Sequence, residues 1–140
     1  MTDSVRDGDH WLFKLSPDEW IRSAMGELRR AEEAYARKNG RAGLAGARRA
    51  AGMALNGALI VAPNDAWGRS YMDHLLALKA DTSVPERVRA AGMCLVDTPI
   101  PGGELVALRT GTGDTRVLEA ARDVLAHAYA VVRRSSGVED

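Results

Sequence analysis

The side chains with the clearest potential for chemistry are an arginine and a histidine near the end of the chain, Arg122 and His127. A guanidinium holds a phosphate through charge and hydrogen bonds, and an imidazole titrates near neutral pH and can move a proton. On a helix, five residues place the two side chains about 140° apart, so they converge poorly unless long side chains or a dimer mate complete the site. Tyr129, seven residues after Arg122, shares its face.

Other basic residues form a second set of candidates for ligand binding. Arg69 and His74 repeat the spacing of five in a different segment, although such pairs arise easily by chance in an arginine-rich chain. Arg41, Arg48 and Arg49 surround the predicted turn between the first two helices and could bind a phosphate or an acidic partner surface. Solvated charge beside neighbouring glutamates is the simpler interpretation of this cluster.

A glycine-rich segment, residues 111–115, could present its backbone amides to a phosphate. It lacks the lysine and the preceding strand of a phosphate-binding loop. Asp114 or Thr115 is therefore better interpreted as the N-cap of the last helix.

Composition narrows the class of protein. The chain has 140 residues, a formal net charge of +0 and a single cysteine, Cys94. This length fits one domain, and the balanced charge predicts no general attraction to nucleic acid or to a membrane. One cysteine without partners at ligand spacing predicts neither a disulfide nor a metal site, and no cofactor is indicated. With a polar N-terminus and no long apolar run, the chain is expected to be cytoplasmic.

Helix signals divide most of the sequence. The segment 16–19, Ser-Pro-Asp-Glu, combines an N-cap, a proline at the first helical position and a glutamate at the third, and it predicts the start of a helix that Asn39 and Gly40 end. The second helix is predicted from about Ala42 to Ala62. It is so rich in alanine and glycine that it should lie innermost, where backbones come close.

Three more helices are predicted beyond this pair. The expected spans are Ser70 to Ala80, Ser83 to about Val96, and Asp114 or Thr115 to Arg134. Apolar residues at helical spacing, including Met25, Leu76 and Met93, are expected to face the core.

These elements predict an all-α fold, an antiparallel four- or five-helix up-and-down bundle. Residues 1–15 are expected to form an N-terminal arm, residues 16–134 the single domain and residues 135–140 a polar tail. Prolines and glycines between Asp97 and Asp114 predict a long loop before the last helix.

The order of these features resembles the HEPN family (higher eukaryotes and prokaryotes nucleotide-binding domain). Such domains open with a helix of the type W-x-x-x-A-x-x-x-L-x-x-A, represented here by Trp20, Ala24, Leu28 and Ala31. A small-residue second helix and a short third helix follow, here 47–59 and 70–76. The resemblance extends from 15 to 134 and depends on pattern and order, since it contains no rare motif.

The resemblance implies a homodimer, and in many members a nucleotidyltransferase as neighbour or fusion partner. Some members are metal-independent ribonucleases that use an arginine, a polar residue, three further residues and a histidine, and toxins of one branch add a tyrosine two positions later. Residues 122–129, with Arg122, His127 and Tyr129, fit both patterns. In the toxin branch another substantial helix usually follows the motif, whereas here it lies in the last predicted helix.

Three hypotheses for function follow from these patterns. The first is a dimerising, HEPN-like module that binds a partner protein or a nucleotide, without evident catalysis. The second is a metal-independent endoribonuclease that acts on RNA, in which Arg122 holds the phosphate and His127 is the acid or base. The third is a tetratricopeptide-like adaptor, which the absence of a second repeat disfavours.

Overall fold

The computed structural model describes residues 14–64, 67–68, 70–100 and 110–135, with side chains at all of these except 110–114 and 135. Five helices make up this part of the chain, and it contains no strand: α1 Pro17–Ala36, α2 Gly40–Val61, α3 Tyr71–Ala80, α4 Glu86–Asp97 and α5 Thr110–Ser135. The predicted all-α bundle is confirmed. In the described residues, no helix is both long enough and apolar enough to cross a membrane.

The beginnings of α1 and α3 follow the predicted capping signals. The Ser16 hydroxyl accepts from the Glu19 amide at 3.1 Å, and the Glu19 carboxylate accepts from the Ser16 amide at 2.7 Å. Hydrogen bonding to the Glu19 carboxylate from the Ser16 amide, and secondarily from the Ser16 side chain, lowers the pKa of Glu19, because the charged carboxylate is the better acceptor. Ser70 and Asp73 form the same reciprocal pair before α3. Both helix starts are confirmed.

The turn between α1 and α2 is shorter than predicted. α1 ends at Ala36, and Lys38 adopts a left-handed backbone with φ of 65°. The Asn39 side chain accepts from the Ala42 amide at 3.1 Å and so caps α2, which begins at Gly40. The prediction that Asn39 and Gly40 end the first helix is wrong in this detail, because asparagine is also a good N-cap.

α2 lies at the centre of the bundle and packs against each of the other four described helices. Its glycines permit the close approach of α1. A Cβ added at Gly57 would lie 2.9 Å from the backbone oxygen of Pro17, and one added at Gly46 would lie 3.1 Å from the Cβ of Ala31. The predicted innermost position of the small-residue helix is confirmed, since larger side chains would separate these backbones.

Three predicted core residues point outward. Met25, Leu76 and Met93 are exposed by 45%, 44% and 48%. In each helix another stripe takes the buried positions: α1 buries Ala24 and Leu28, α3 buries His74, Leu75 and Leu78, and α4 buries Val88, Ala91, Gly92 and Leu95. One residue corresponds to about 100° around a helix, so an apolar residue beside such a stripe leaves the core.

The boundaries of the last two helices also differ from prediction. α4 begins at Glu86 rather than Ser83, because Ser83 belongs to a turn in which its amide and hydroxyl both donate to Asp81. α5 begins at Thr110, so residues 111–115 are helical. Both interpretations of 111–115, a phosphate-binding loop and a cap at Asp114 or Thr115, are therefore wrong. Glycines lower helix propensity by only about 1 kcal/mol each and do not stop a long helix.

Parts of the predicted organisation lie outside the described residues. These are positions 1–13 of the predicted arm, 101–109 of the predicted loop and 136–140 of the predicted tail.

Candidate functional site

Arg122 lies on α5 and is engaged with α1. Its Nη2 donates to the Glu32 Oε2 at 2.5 Å, and the Arg122 side chain is 50% exposed. The carboxylate therefore occupies one edge of the guanidinium that a phosphate would use. The remaining donors of Arg122 face a groove between α1 and α5.

His127 lies on the same helix but opens onto a different cavity. This cavity, of about 290 Å³, lies between α2, α5 and the turn that precedes α4, and Asp81, Trp67 and Asn64 also line it. Burial lowers the pKa of His127, the charge of Arg134 lowers it further, and the charge of Asp81 opposes both.

Within one chain, Arg122 and His127 do not converge on a common ligand. They line separate cavities, as expected for side chains about 140° apart on a helix. Tyr129 does share the groove with Arg122, as predicted. Its hydroxyl accepts from Arg133 Nη1 at 3.1 Å, and the Arg133 guanidinium lies 5.6 Å from the centroid of the Tyr129 ring.

The other predicted ligand-binding arginines are spread over the structure rather than gathered in one site. Arg48 donates to the carbonyl oxygens that end α4, at 2.7 Å to Leu95, 3.3 Å to Val96 and 2.8 Å to Thr98. Arg49 donates to the Glu27 carboxylate of α1 at 2.9 Å, and Arg41 is exposed. Arg69 lies outside the described residues.

The carboxylate of Glu27 joins α1 to α2. It accepts from Arg49 of α2 and from Arg30 of its own helix, each at 2.9 Å. Desolvation by itself would raise the pKa of Glu27, but the two arginines together hold it below its ordinary value. Arg49 is thus engaged in a structural ion pair.

His74 is completely buried and belongs to the interior. Its Nδ1 lies 3.2 Å from the Trp67 backbone oxygen and its Nε2 lies 2.8 Å from the side-chain oxygen of Asn56. Burial lowers the pKa of His74, although the hydrogen bond to Trp67 and the charge of Asp73 oppose that shift. His74 therefore links α3 to α2 and the segment before α3, and no cavity described here exposes it.

Asn56 is the polar residue in α2 that sequence reasoning missed. It is fully buried, and its side-chain nitrogen has no hydrogen-bond partner. A neutral His74 has one N–H, which can donate to only one of its two oxygen neighbours. Turning the Asn56 amide over lets its nitrogen donate to Nε2 while Nδ1–H donates to Trp67. An isolated asparagine in an otherwise apolar stretch of helix, here residues 50–61, is the sequence signal for such a buried link.

The groove between α1 and α5 has a volume of about 670 Å³. Its lining combines apolar residues, four arginines and two carboxylates: from α1, Asp18, Ile21, Arg22, Met25, Leu28, Arg29 and Glu32, and from α5, Arg122, Leu125, Ala126, Tyr129 and Arg133. Met25 and Tyr129 are among the most exposed large apolar side chains of the described chain. Such a volume is within the ordinary range for ligand sites.

The arginines of this groove are unequally engaged. Arg122 pairs with Glu32, and Arg133 donates to Tyr129. Arg22 and Arg29 have neither a hydrogen bond nor an ion pair among the described residues. Sequence reasoning missed both, although residues 18, 22, 25, 29 and 32 recur every three or four positions and so share a face of α1.

Comparison with known proteins finds no match: the chain matches no family model, no curated protein and no solved structure. Among the described residues, no group of three histidine, cysteine, aspartate or glutamate side chains is placed to hold a metal ion. The α1–α5 groove is accordingly the candidate site.

Proposed function

We propose that the chain is a HEPN-like helical bundle that works as a binding module, with the α1–α5 groove as its site. The observation that carries this proposal is the combination, in one open groove, of exposed apolar surface at Met25 and Tyr129 with two arginines, Arg22 and Arg29, that make no hydrogen bond or ion pair among the described residues. Exposed apolar surface bordered by polar groups is typical of binding sites. The arginines favour a ligand that carries negative charge.

The ribonuclease hypothesis stays open as a second candidate function, because Arg122 and Tyr129 share this groove. His127 opens onto another cavity, so catalysis would need a second copy to bring a histidine to Arg122. Loss of RNA cleavage in the His127→Ala variant, with its fold intact, would support this candidate. Equal cleavage by the variant and the parent would exclude it.

Dimerisation, implied by the HEPN resemblance, is a separate part of the proposal. Light scattering over a wide range of protein concentration tests it. A mass of two chains at all but the lowest concentrations is expected, whereas a monomer throughout would contradict it.

Anilinonaphthalenesulfonate (ANS), an anionic aromatic dye, is a suitable first probe for the groove because it carries both features that the lining favours. We expect its fluorescence to rise on mixing with the folded protein, and Met25→Glu to remove most of that rise. Met93→Glu is the matched control, since Met93 is equally exposed but lies on α4, outside the groove. Equal dye binding by the two variants would contradict the proposal.

A further inference from the structure

The charges on the groove face of α1 are arranged symmetrically around Met25. Arg22 lies three residues before it and Arg29 four residues after it, and the carboxylates of Asp18 and Glu32 each lie seven residues away. Three, four and seven residues correspond to one and two helical turns, so all five side chains lie along one line. The groove therefore offers an apolar centre between two cations.

The groove is also elongated. From Asp18 to Glu32 it follows α1 for about 20 Å at 1.5 Å per residue, and on α5 it extends from Arg122 to Arg133, about 17 Å. Sites for small molecules usually enclose most of the ligand. An open groove of this length between two helices instead has the dimensions of a third helix of about fourteen residues.

A second copy of this chain is a poor occupant of the groove. In a two-fold dimer the same face meets itself. If the two α1 helices run antiparallel about Met25, Asp18 comes opposite Glu32 and Arg22 comes close to Arg29. If they run parallel, each residue comes opposite its own copy. Either arrangement places like charges together, which costs free energy.

We infer that the occupant of the α1–α5 groove is an amphipathic helix of a partner protein, with two carboxylates seven residues apart and an apolar residue between them. The apolar residue packs on Met25 and Tyr129, and the carboxylates pair with Arg22 and Arg29. This inference depends on the proposed binding function and adds the chemistry of the partner to it. The two arginines select a partner that carries negative charge, and the apolar side chains of the groove supply contact area.

A fluorescein-labelled, 14-residue amphipathic peptide tests this inference by fluorescence anisotropy. The probe has leucines along one face and glutamates seven residues apart, and a matched peptide has glutamine at those two positions. At low salt we expect the glutamate peptide to bind the full chain about three- to tenfold more tightly, the range for two exposed ion pairs. High salt should narrow this ratio, because it screens exposed charges.

Two double variants locate the effect. Arg22→Gln with Arg29→Gln should remove the preference for the glutamate peptide. Arg37→Gln with Arg41→Gln removes the same charge from exposed positions outside the groove and should preserve it. Equal binding of the two peptides by the parent, or an unchanged preference in the Arg22 and Arg29 variant, would overturn the inference.

Other occupants give distinguishable results. If ATP displaces ANS in a manner that depends on Arg22 and Arg29 while the peptide does not bind, the ligand is a nucleotide and the helix inference fails, although the binding function stands. A dimer that Met25→Glu dissociates would assign the groove to a second copy and overturn the inference. Trp11 is an aromatic residue of the predicted N-terminal arm. Peptide binding that appears only in a Trp11→Ala variant would assign the groove to that arm, with the same consequence. Equal ANS binding by Met25→Glu and Met93→Glu would remove the binding function itself.

Discussion

The surroundings of α2 and the α1–α5 groove use polar side chains in opposite ways. On α2, Arg48 is engaged with the carbonyl oxygens that end α4, and Asn56 is engaged with the buried His74. In the groove, Arg22 and Arg29 have neither a hydrogen bond nor an ion pair among the described residues, although the charge of Arg22 acts on Glu19. Arg48 of α2 therefore joins two helices, whereas these two groove arginines do not.

The two regions also differ in how closely the helices approach. Glycines on α2 allow contact with the backbone of α1, as at Gly57 and Pro17. On the groove side, α1 and α5 face each other with arginines, Met25 and Tyr129. The distance between two packed helices depends on the side chains at their contact. Long side chains here leave an open groove, so the groove lies where the small residues of the contact between α1 and α2 are missing.

The largest expected difference between the two regions concerns apolar truncation. Leu44→Ala, in the core of α2, should lower the free energy of unfolding by about 2–5 kcal/mol, because it leaves a cavity. Met25→Ala, in the groove, should change it by less than about 1 kcal/mol, because Met25 is already exposed. Urea unfolding followed by circular dichroism measures both. Similar losses would remove the distinction between core and groove.

Neighbouring arginines on α2 provide the next comparison. Arg48→Gln should cost roughly 1.5–3 kcal/mol, because a part-buried charged donor to three carbonyl oxygens is lost. Arg49→Gln should cost less than about 1 kcal/mol, since the Arg49 side chain is 46% exposed and Glu27 keeps its ion pair with Arg30. Urea midpoints of the two variants test this order. If Arg49→Gln proves the more harmful, Arg48 is not the residue that secures the end of α4.

The buried histidine predicts a pH dependence. Because the folded protein holds the pKa of His74 below the ordinary value of about 6.5, the unfolded chain binds the proton more readily. This contribution to the free energy of unfolding is fully present well above pH 6.5 and is lost as the pH falls through and below 6.5, by at most about 1 kcal/mol between pH 7 and 5.5. His74→Gln should flatten this dependence, measured by urea unfolding at several pH values. His127→Gln should alter it less, because His127 is only partly buried. An unchanged slope in His74→Gln would contradict this assignment.

The smallest expected effects come from two glycines. Gly57→Ala should destabilise by about 1 kcal/mol, since crowding against the Pro17 backbone outweighs the gain in helix propensity. Gly26→Ala should stabilise by up to about 1 kcal/mol, because the added Cβ meets only the Arg30 guanidinium, at 3.7 Å. Thermal unfolding of both variants measures the difference. A gain in Tm for Gly57→Ala would show that the contact between α1 and α2 is looser than described.

Local signals in the sequence predict most of the fold. The caps at Ser16 and Ser70 and the small residues of α2 act through neighbouring atoms or through helix geometry, so they predict structure directly. The predicted helix starts at Ser83 and at Asp114 or Thr115 are wrong. A competing turn decides the first boundary, and glycines tolerated within the helix decide the second. The prediction that Met25 faces the core is wrong, because neighbouring apolar residues can belong to different faces of a helix.

The candidate site was less predictable than the fold. Spacing selected Arg122 and Tyr129, which do lie in the groove, but it also selected His127, which opens onto another cavity. Whether Arg22 and Arg29 have a partner depends on which helices pack beside them, a long-range property that residue spacing does not contain. Arg48 shows the opposite outcome, because a charge that looked free in the sequence serves as a cap.

Methyl NMR of methionines labelled with ¹³C is the most direct test of whether the α1–α5 groove binds an acidic amphipathic helix. Met25 reports on the groove, while Met72 and Met93 are exposed at positions outside it and serve as controls in the same sample. On addition of the glutamate peptide, a saturable shift of the Met25 signal is expected, with the Met72 and Met93 signals unchanged. A Met25 signal that stays in place while the peptide binds, or equal shifts at all three methionines, would contradict it.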